Sequence, residues 1–221
     1  MWCVAKLTPE YIERMESLLD LYELPYNKDE PVVCIDEKSK QLLQNTRETL
    51  PMKIRVSRRV DYEYKRNGTR NIFCAVEPKG GRRRIAVTAR RTKQDFARFV
   101  RELIDTDYAS ARTIHVVCDN LNTHFPPSFY ETFEKEEADR LLSRIRFHYT
   151  PKHASWLDMA EIELSILSRM AIKCRVPTKK NLISRIQRFQ DVRNEKHSTI
   201  NWKFTKADAR RVFKYDAGKL N

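Results

Sequence analysis

No stretch of this chain is apolar over anything near the roughly 20 residues that a bilayer-spanning helix needs. No charged segment followed by an apolar one opens it in the manner of an export signal. These absences predict a soluble, non-exported protein with no membrane partner. The five cysteines, Cys3, Cys34, Cys74, Cys118 and Cys174, are scattered, and none belongs to a C-x-x-C pair. That argues against a zinc site or a disulfide framework and fits buried thiols of an intracellular protein. Internal repeats and low-complexity segments are missing too. Acid is in short supply: 30 Asp and Glu stand against 43 Lys and Arg, a formal net charge of +13. Nucleic acid is the default partner of such a surface.

The 221 residues are enough for one large domain with helical extensions. Thr8-Pro9-Glu10 reads as a helix cap with proline in the first turn, and Ile12, Met15, Leu19 and Tyr22 follow at helical spacing, predicting a leading helix outside the core. Val32 to Ile35 is a continuous apolar run, as in a strand covered on both faces. Residues 46–70 are basic with little apolar periodicity. They predict an extended, mobile arm with a short strand at Asp61-Tyr62-Glu63-Tyr64. Ile72–Val76 and Arg84–Thr88 flank Pro78-Lys79-Gly80-Gly81, a hairpin turn, so three strands come in meander order. Thr92 and Asp95 match a capping box before Phe96, Phe99, Val100, Leu103 and Ile104, an amphipathic helix. A strand at Thr113–Cys118, a helical stretch through Leu141, a short strand at Phe147–Tyr149 and an acidic helix follow. Pro177-Thr178 restarts a basic helix, and Thr205 to Asp208 caps a last one.

Two aspartates close apolar strands: Asp36 after Val32-Val33-Cys34-Ile35, and Asp119 after Ile114-His115-Val116-Val117-Cys118. A covering helix that brings a third acid to adjacent strand ends would complete a set of hard oxygen ligands. Such a set suits two divalent ions in phosphoryl transfer on nucleic acid. Singly, each aspartate is as well explained by a solvated strand end or loop start. On the helix from Leu157 to Ala171, Glu163 falls inside the apolar arc, where a paired buried charge is expected. Glu161 sits on the arc's edge, so Glu161 is preferred as the third acid and Glu163 is the alternative. Lys38, Asn120, His124, His153 and Trp156 lie close enough in sequence to contact substrate. The bland alternatives are a surface lysine, loop hydrogen bonds for Asn120 and the histidines, and packing at a helix start for the tryptophan.

Three motifs, Val33-Cys34-Ile35-Asp36-Glu37-Lys38, Asp119-Asn120-Leu121-Asn122-Thr123-His124 and Tyr149-Thr150-Pro151-Lys152-His153-Ala154-Ser155-Trp156-Leu157 running on to Met159-Ala160-Glu161-Ile162-Glu163-Leu164-Ser165, stand in this order. Together they resemble bacterial insertion-sequence transposases of the IS-six-thirty family, relatives of mariner-like elements within the DDE superfamily. The resemblance implies an α/β, RNase H-like fold, a mixed five-stranded sheet flanked by helices, with helical N-terminal and C-terminal extensions. It divides the chain into a helical linker at 1–30, a catalytic domain at 31–175 and a helical extension at 176–221. It implies strand cleavage and strand transfer at insertion-sequence ends, with Asp36, Asp119 and Glu161 as catalytic and metal-binding acids and two Mg²⁺ ions, or Mn²⁺ in their place. Double-stranded DNA, as transposon ends and target, a homodimer as the active form, and a cytoplasmic, nucleoid-associated location belong to the same expectation.

The sequence departs from the family pattern in two places. Asp158 stands where the motif carries asparagine, one turn from Glu161. Only about one helix precedes the first strand, too little for a helix-turn-helix module, so the chain reads as the catalytic part. DNA binding that falls steeply with salt and hardly distinguishes sequences is expected, with contacts from 53–70 and 179–193. A remnant that binds DNA without catalysis, and a nuclease that does not join strands, are the competing readings.

Overall fold

The computed structural model describes residues 7–57 and 59–215. Its centre is a five-stranded sheet built from β1 (Val32–Asn45), β2 (Tyr64–Glu77), β3 (Arg82–Thr88), β4 (Ile114–Cys118) and β5 (Ile145–Tyr149). The spatial order is β3-β2-β1-β4-β5. The first three strands form an antiparallel meander, and β4 and β5 add in parallel on the other side of β1. The β2–β3 turn closes on Gly81, whose φ of 71° is left-handed and whose added Cβ would meet the His197 carbonyl oxygen at 2.7 Å.

Alternation along β1 sorts the two faces. Val33 and Ile35 enter a core roofed by α2 (Lys93–Glu102), α3 (Pro127–Tyr130) and α4 (Lys135–Leu142), with Phe73, Phe96, Phe99 and Phe129 at its centre. The capping box at Thr92 and Asp95 is present, so α2 starts where the sequence places it. Cys34 faces the opposite way, toward α1 (Pro9–Glu23), the start of α5 (Met159–Met170) and α7 (Lys206–Phe213). Farther along that second face, Leu42, Ile72, Cys74 and Ile85 pack under the end of α5 and α6 (Lys179–Glu195).

Two expectations are corrected. The leading helix does not lie outside the core: Met15, Leu18 and Leu19 are at most 1% exposed, because this helix roofs Cys34, Val76 and Val117. Residues 64–70 are not part of a loose arm. They form the first half of β2, paired with Lys40 to Asn45, since the polar outer half of β1 has backbone groups to satisfy. Within Asp61–Tyr64 only Tyr64 is in a strand, and residues 46–63 make a loop with isolated bridges at Leu50–Arg59 and Lys53–Val56.

The exposed edge of β3 is capped by α6. Asn194 accepts from the Arg83 N–H at 2.8 Å and donates to its carbonyl at 2.9 Å, while Gln190 accepts from the Ile85 N–H at 2.6 Å. Side-chain amides thus take the place of a neighbouring strand.

Candidate active site

The parallel pairing of β1 with β4 sets Cys34 opposite Val117. Asp36, two residues past Cys34 in β1, shares its facing toward the face that α5 covers, and Asp119 directly follows the last residue of β4. Asp158 caps α5, its Oδ1 accepting from the Ala160 N–H at 2.8 Å, and Glu161 follows in the first turn. Glu161 is exposed, and its carboxylate has no ion pair or hydrogen bond among the described residues, so it is free to turn toward the sheet.

Asp36, Asp119, Asp158 and Glu161 share one field. The Asp36 carboxyl is pushed up to about 7, first by burial and then by the charges of Glu37, Glu161 and Asp119, against the Glu37 N–H that donates to it at 2.7 Å. Asp158, almost fully buried, is raised well above the usual carboxylate range by burial and by Asp36, Glu161 and Asp119. Asp119 goes the other way, held low chiefly by the hydrogen bond from His124.

As the side chains stand, no group of three His, Cys, Asp or Glu among the described residues encloses a common ion position. The donor set nevertheless suits a hard divalent cation. Its oxygens are all carboxylate, one comes from within β1 and one from directly past the end of β4, one is free to rotate, and their mutual repulsion is what a cation would relieve.

His124 is corrected as a substrate contact. Its side chain is 0% exposed, with Nδ1 2.8 Å from Asp119 Oδ1, Nε2 3.2 Å from Glu37 Oε2, and the ring 4.6 Å from the Phe96 ring. Burial alone would lower its pKa; Asp119, Cys118 and Glu37 overcome that and raise it to about 12. Glu37 is not among the sequence candidates. The signal for it is its opposite facing to Asp36, which aims it under the loop after β4.

Trp156 is exposed and lies 6.3 Å from Trp202 in a stacked pair, with Phe204 and Phe213 at its edges. Asn120 ties the loop after β4 to the Thr150 carbonyl and accepts from Arg14 at 3.1 Å. Lys38 is exposed on β1 with the same facing as Asp36, about 7 Å along the strand. His153 is exposed at a φ of 66° in the turn before α5. Glu163 is fully buried between Arg83 Nε at 2.8 Å and Arg193, which reaches both its oxygens at 2.9 Å.

Residues 31–183 match the family model described as DDE superfamily endonuclease. The fold is similar to the Mos1 mariner paired-end complex with Mn, at a TM-score of 0.56 and 12% identity over 89% of this chain and 60% of that one. It is also similar to the Mos1 transposase paired-end complex with the left transposon end (0.55, 10%, 89% and 60%) and to the Mos1 strand transfer complex (0.55, 10%, 86% and 57%). At such identities the likeness is one of fold: a mixed five-stranded sheet flanked by helices, of RNase H-like type. The chain spans about 60% of the length of the first two. No match is found among curated proteins.

Proposed function

This chain belongs to the DDE superfamily endonuclease family, and from that membership we infer that it cleaves DNA strands with divalent cations and transfers them to a target, at the ends of an element of the IS-six-thirty type. The observation that carries the reading is the shared field of Asp36, within β1, Asp119, directly past the end of β4, and Asp158 and Glu161, at the start of α5. Asp36, Asp119 and Glu161 would hold the cations. Two bound Mg²⁺ ions, or Mn²⁺, would neutralise the reacting phosphate and activate the attacking water or hydroxyl.

The chain's own part is positional. His124, fixed between Glu37 and Asp119, holds the Asp119 carboxylate in one orientation. Capping by Asp158 sets where α5 begins, and the positive end of that helix favours the negative charge gathered there. Lys38 lies on the same face for a phosphate oxygen. Residues 31–175 are the proposed catalytic unit, 1–30 and 176–221 its helical flanks, duplex DNA its substrate, and a homodimer its active form. The Mos1 structures named above are of transposon-end and strand-transfer complexes, and the net charge of +13 suits the same partner.

The test is incubation of the full chain with supercoiled plasmid and a linear DNA fragment, with Mg²⁺ or Mn²⁺ or with chelator. Cation-dependent nicks and fragment joined to plasmid are expected. Nicks without joined product would contradict the transfer step, and no cleavage with either cation would contradict the whole reading.

A further inference from the structure

Many cations of this surface are neutralised by the protein itself. Arg82 and Arg84 pair with Asp107, Arg112 with Glu30, and Arg140 with Asp105 and Glu137. One region differs. Between the outer part of the β1–β2 ribbon and the corner joining α5 to α6 lies a groove of about 820 Å³, lined by Arg169, Lys173, Arg175 and Arg185, with Cys174 exposed among them.

None of these four cations has a carboxylate partner among the described residues, and the groove's own acid, Asp61, is engaged by Arg47 at 3.4 Å. Arg175 builds the wall: its guanidinium donates to the carbonyls of Asp61, Tyr62 and Glu63 and to Asn45, which clips the ribbon's loop to the corner. Crowding continues onto β1, where burial together with Lys38 and Arg185 lowers the pKa of Lys40. Uncompensated like charges this close disfavour the folded state unless an anion joins them.

The groove and the carboxylate site share one helix, with Arg169 about 80° round α5 from Glu161. Glu161, Ser165 and Arg169 follow one another at four-residue steps on α5, so Arg169 lies about 12 Å along the helix from Glu161, the axial length of three to four nucleotides.

We propose that this groove grips the phosphate backbone of the DNA duplex three to four nucleotides from the phosphate presented to Asp36, Asp119 and Glu161. The proposal rests on the DNA-cleaving reading for its ligand, and its test uses binding alone, without divalent cation. Anisotropy of a labelled duplex over a range of salt is compared for wild type, R169E/K173E, and R98E/K135E, which makes the same charge change on α2 and α4. The groove variant is expected to bind at least tenfold more weakly than the control variant, with a log-log salt slope smaller by about 0.9 for each phosphate no longer neutralised. In a Cys3→Ser background, duplex is expected to slow alkylation of Cys174, a readout that leaves the groove intact. Equal weakening of the two double variants, or alkylation of Cys174 unaffected by saturating duplex, would overturn the groove. A wild type that binds duplex and protects Cys174 yet never nicks with Mg²⁺ or Mn²⁺ would instead overturn the catalytic reading and leave the groove standing.

Discussion

Glu161 and Glu163 are two residues apart on one helix and have opposite surroundings. Removing the charge of Glu163 would strand the Arg83 guanidinium, which is 0% exposed, in a core with no counter-charge. Breaking such a pair costs about 3–5 kcal/mol, or roughly 6 to 20 °C in Tm for a chain of this size. Glu163→Gln is therefore expected to lower the melting temperature by that amount, and Glu161→Gln, at an exposed position, to leave it nearly unchanged while abolishing nicking. A stable Glu163→Gln beside a destabilised Glu161→Gln would reverse the assignment. The difference is half legible in the sequence. Helical periodicity puts Glu163 inside the apolar arc and Glu161 at its edge, but nothing local announces Arg83 or Arg193, because their approach depends on α6 packing against β3. In the same way the apolar run marks Asp119 as the residue after a strand, whereas the expectation that Asp36 closes its strand is corrected: β1 runs on to Asn45, because β2 pairs with its polar outer half. The pairing of Glu37 with His124 is hidden, since it needs the loop after β4 to fold back under β1.

Among the elements, α7 shows how the C-terminal segment is held. Arg210 reaches both oxygens of Glu16 at 2.9 and 3.2 Å, Tyr215 donates to the same carboxylate at 3.0 Å, and Lys206 pairs with Asp20. Behind these ion pairs Trp202, Phe204 and Phe213 gather around Trp156, in the turn that leads into α5. The Arg210 hydrogen bond holds Glu16 below the usual carboxylate range. A group depressed in the folded state stabilises it above the unfolded value and ceases to do so as pH falls through the folded one. The Glu16–Arg210 pair is therefore intact at neutral pH and weakens progressively below about pH 4.3. Tryptophan emission is expected to shift toward solvent-exposed values in that acid range, and Glu16→Gln to remove that component of the titration. An unchanged acid profile in the variant would show that α7 is held by its aromatic side chains alone. Caps and spacing make α1 and α7 readable as helices. Their docking is not readable, because an amphipathic stripe says that a helix must be covered without saying by what.

Over the whole molecule, the sequence reveals the charge of +13 but not its arrangement. In the structure, cations such as Arg82, Arg84, Arg112 and Arg140 meet acids, whereas Arg169, Lys173, Arg175 and Arg185 at the α5–α6 corner have no carboxylate partner among the described residues. The acids show the complementary pattern, with Asp36, Asp119, Asp158 and Glu161 crowded over one end of the sheet. That crowding disfavours the metal-free fold, and a divalent cation should offset it. The most direct measurement is the melting temperature of the full chain against Mn²⁺ concentration, for wild type and for Asp36→Asn, Asp119→Asn, Glu161→Gln and Glu163→Gln. Ligand at a hundred times its dissociation constant adds about 2.7 kcal/mol, so the wild type is expected to gain roughly 5 to 10 °C. The shift is expected to vanish in the first three variants and to persist, from a lower starting point, in Glu163→Gln. No shift in the wild type, or a full shift in Glu161→Gln, would contradict the assignment of Asp36, Asp119 and Glu161 to one cation site.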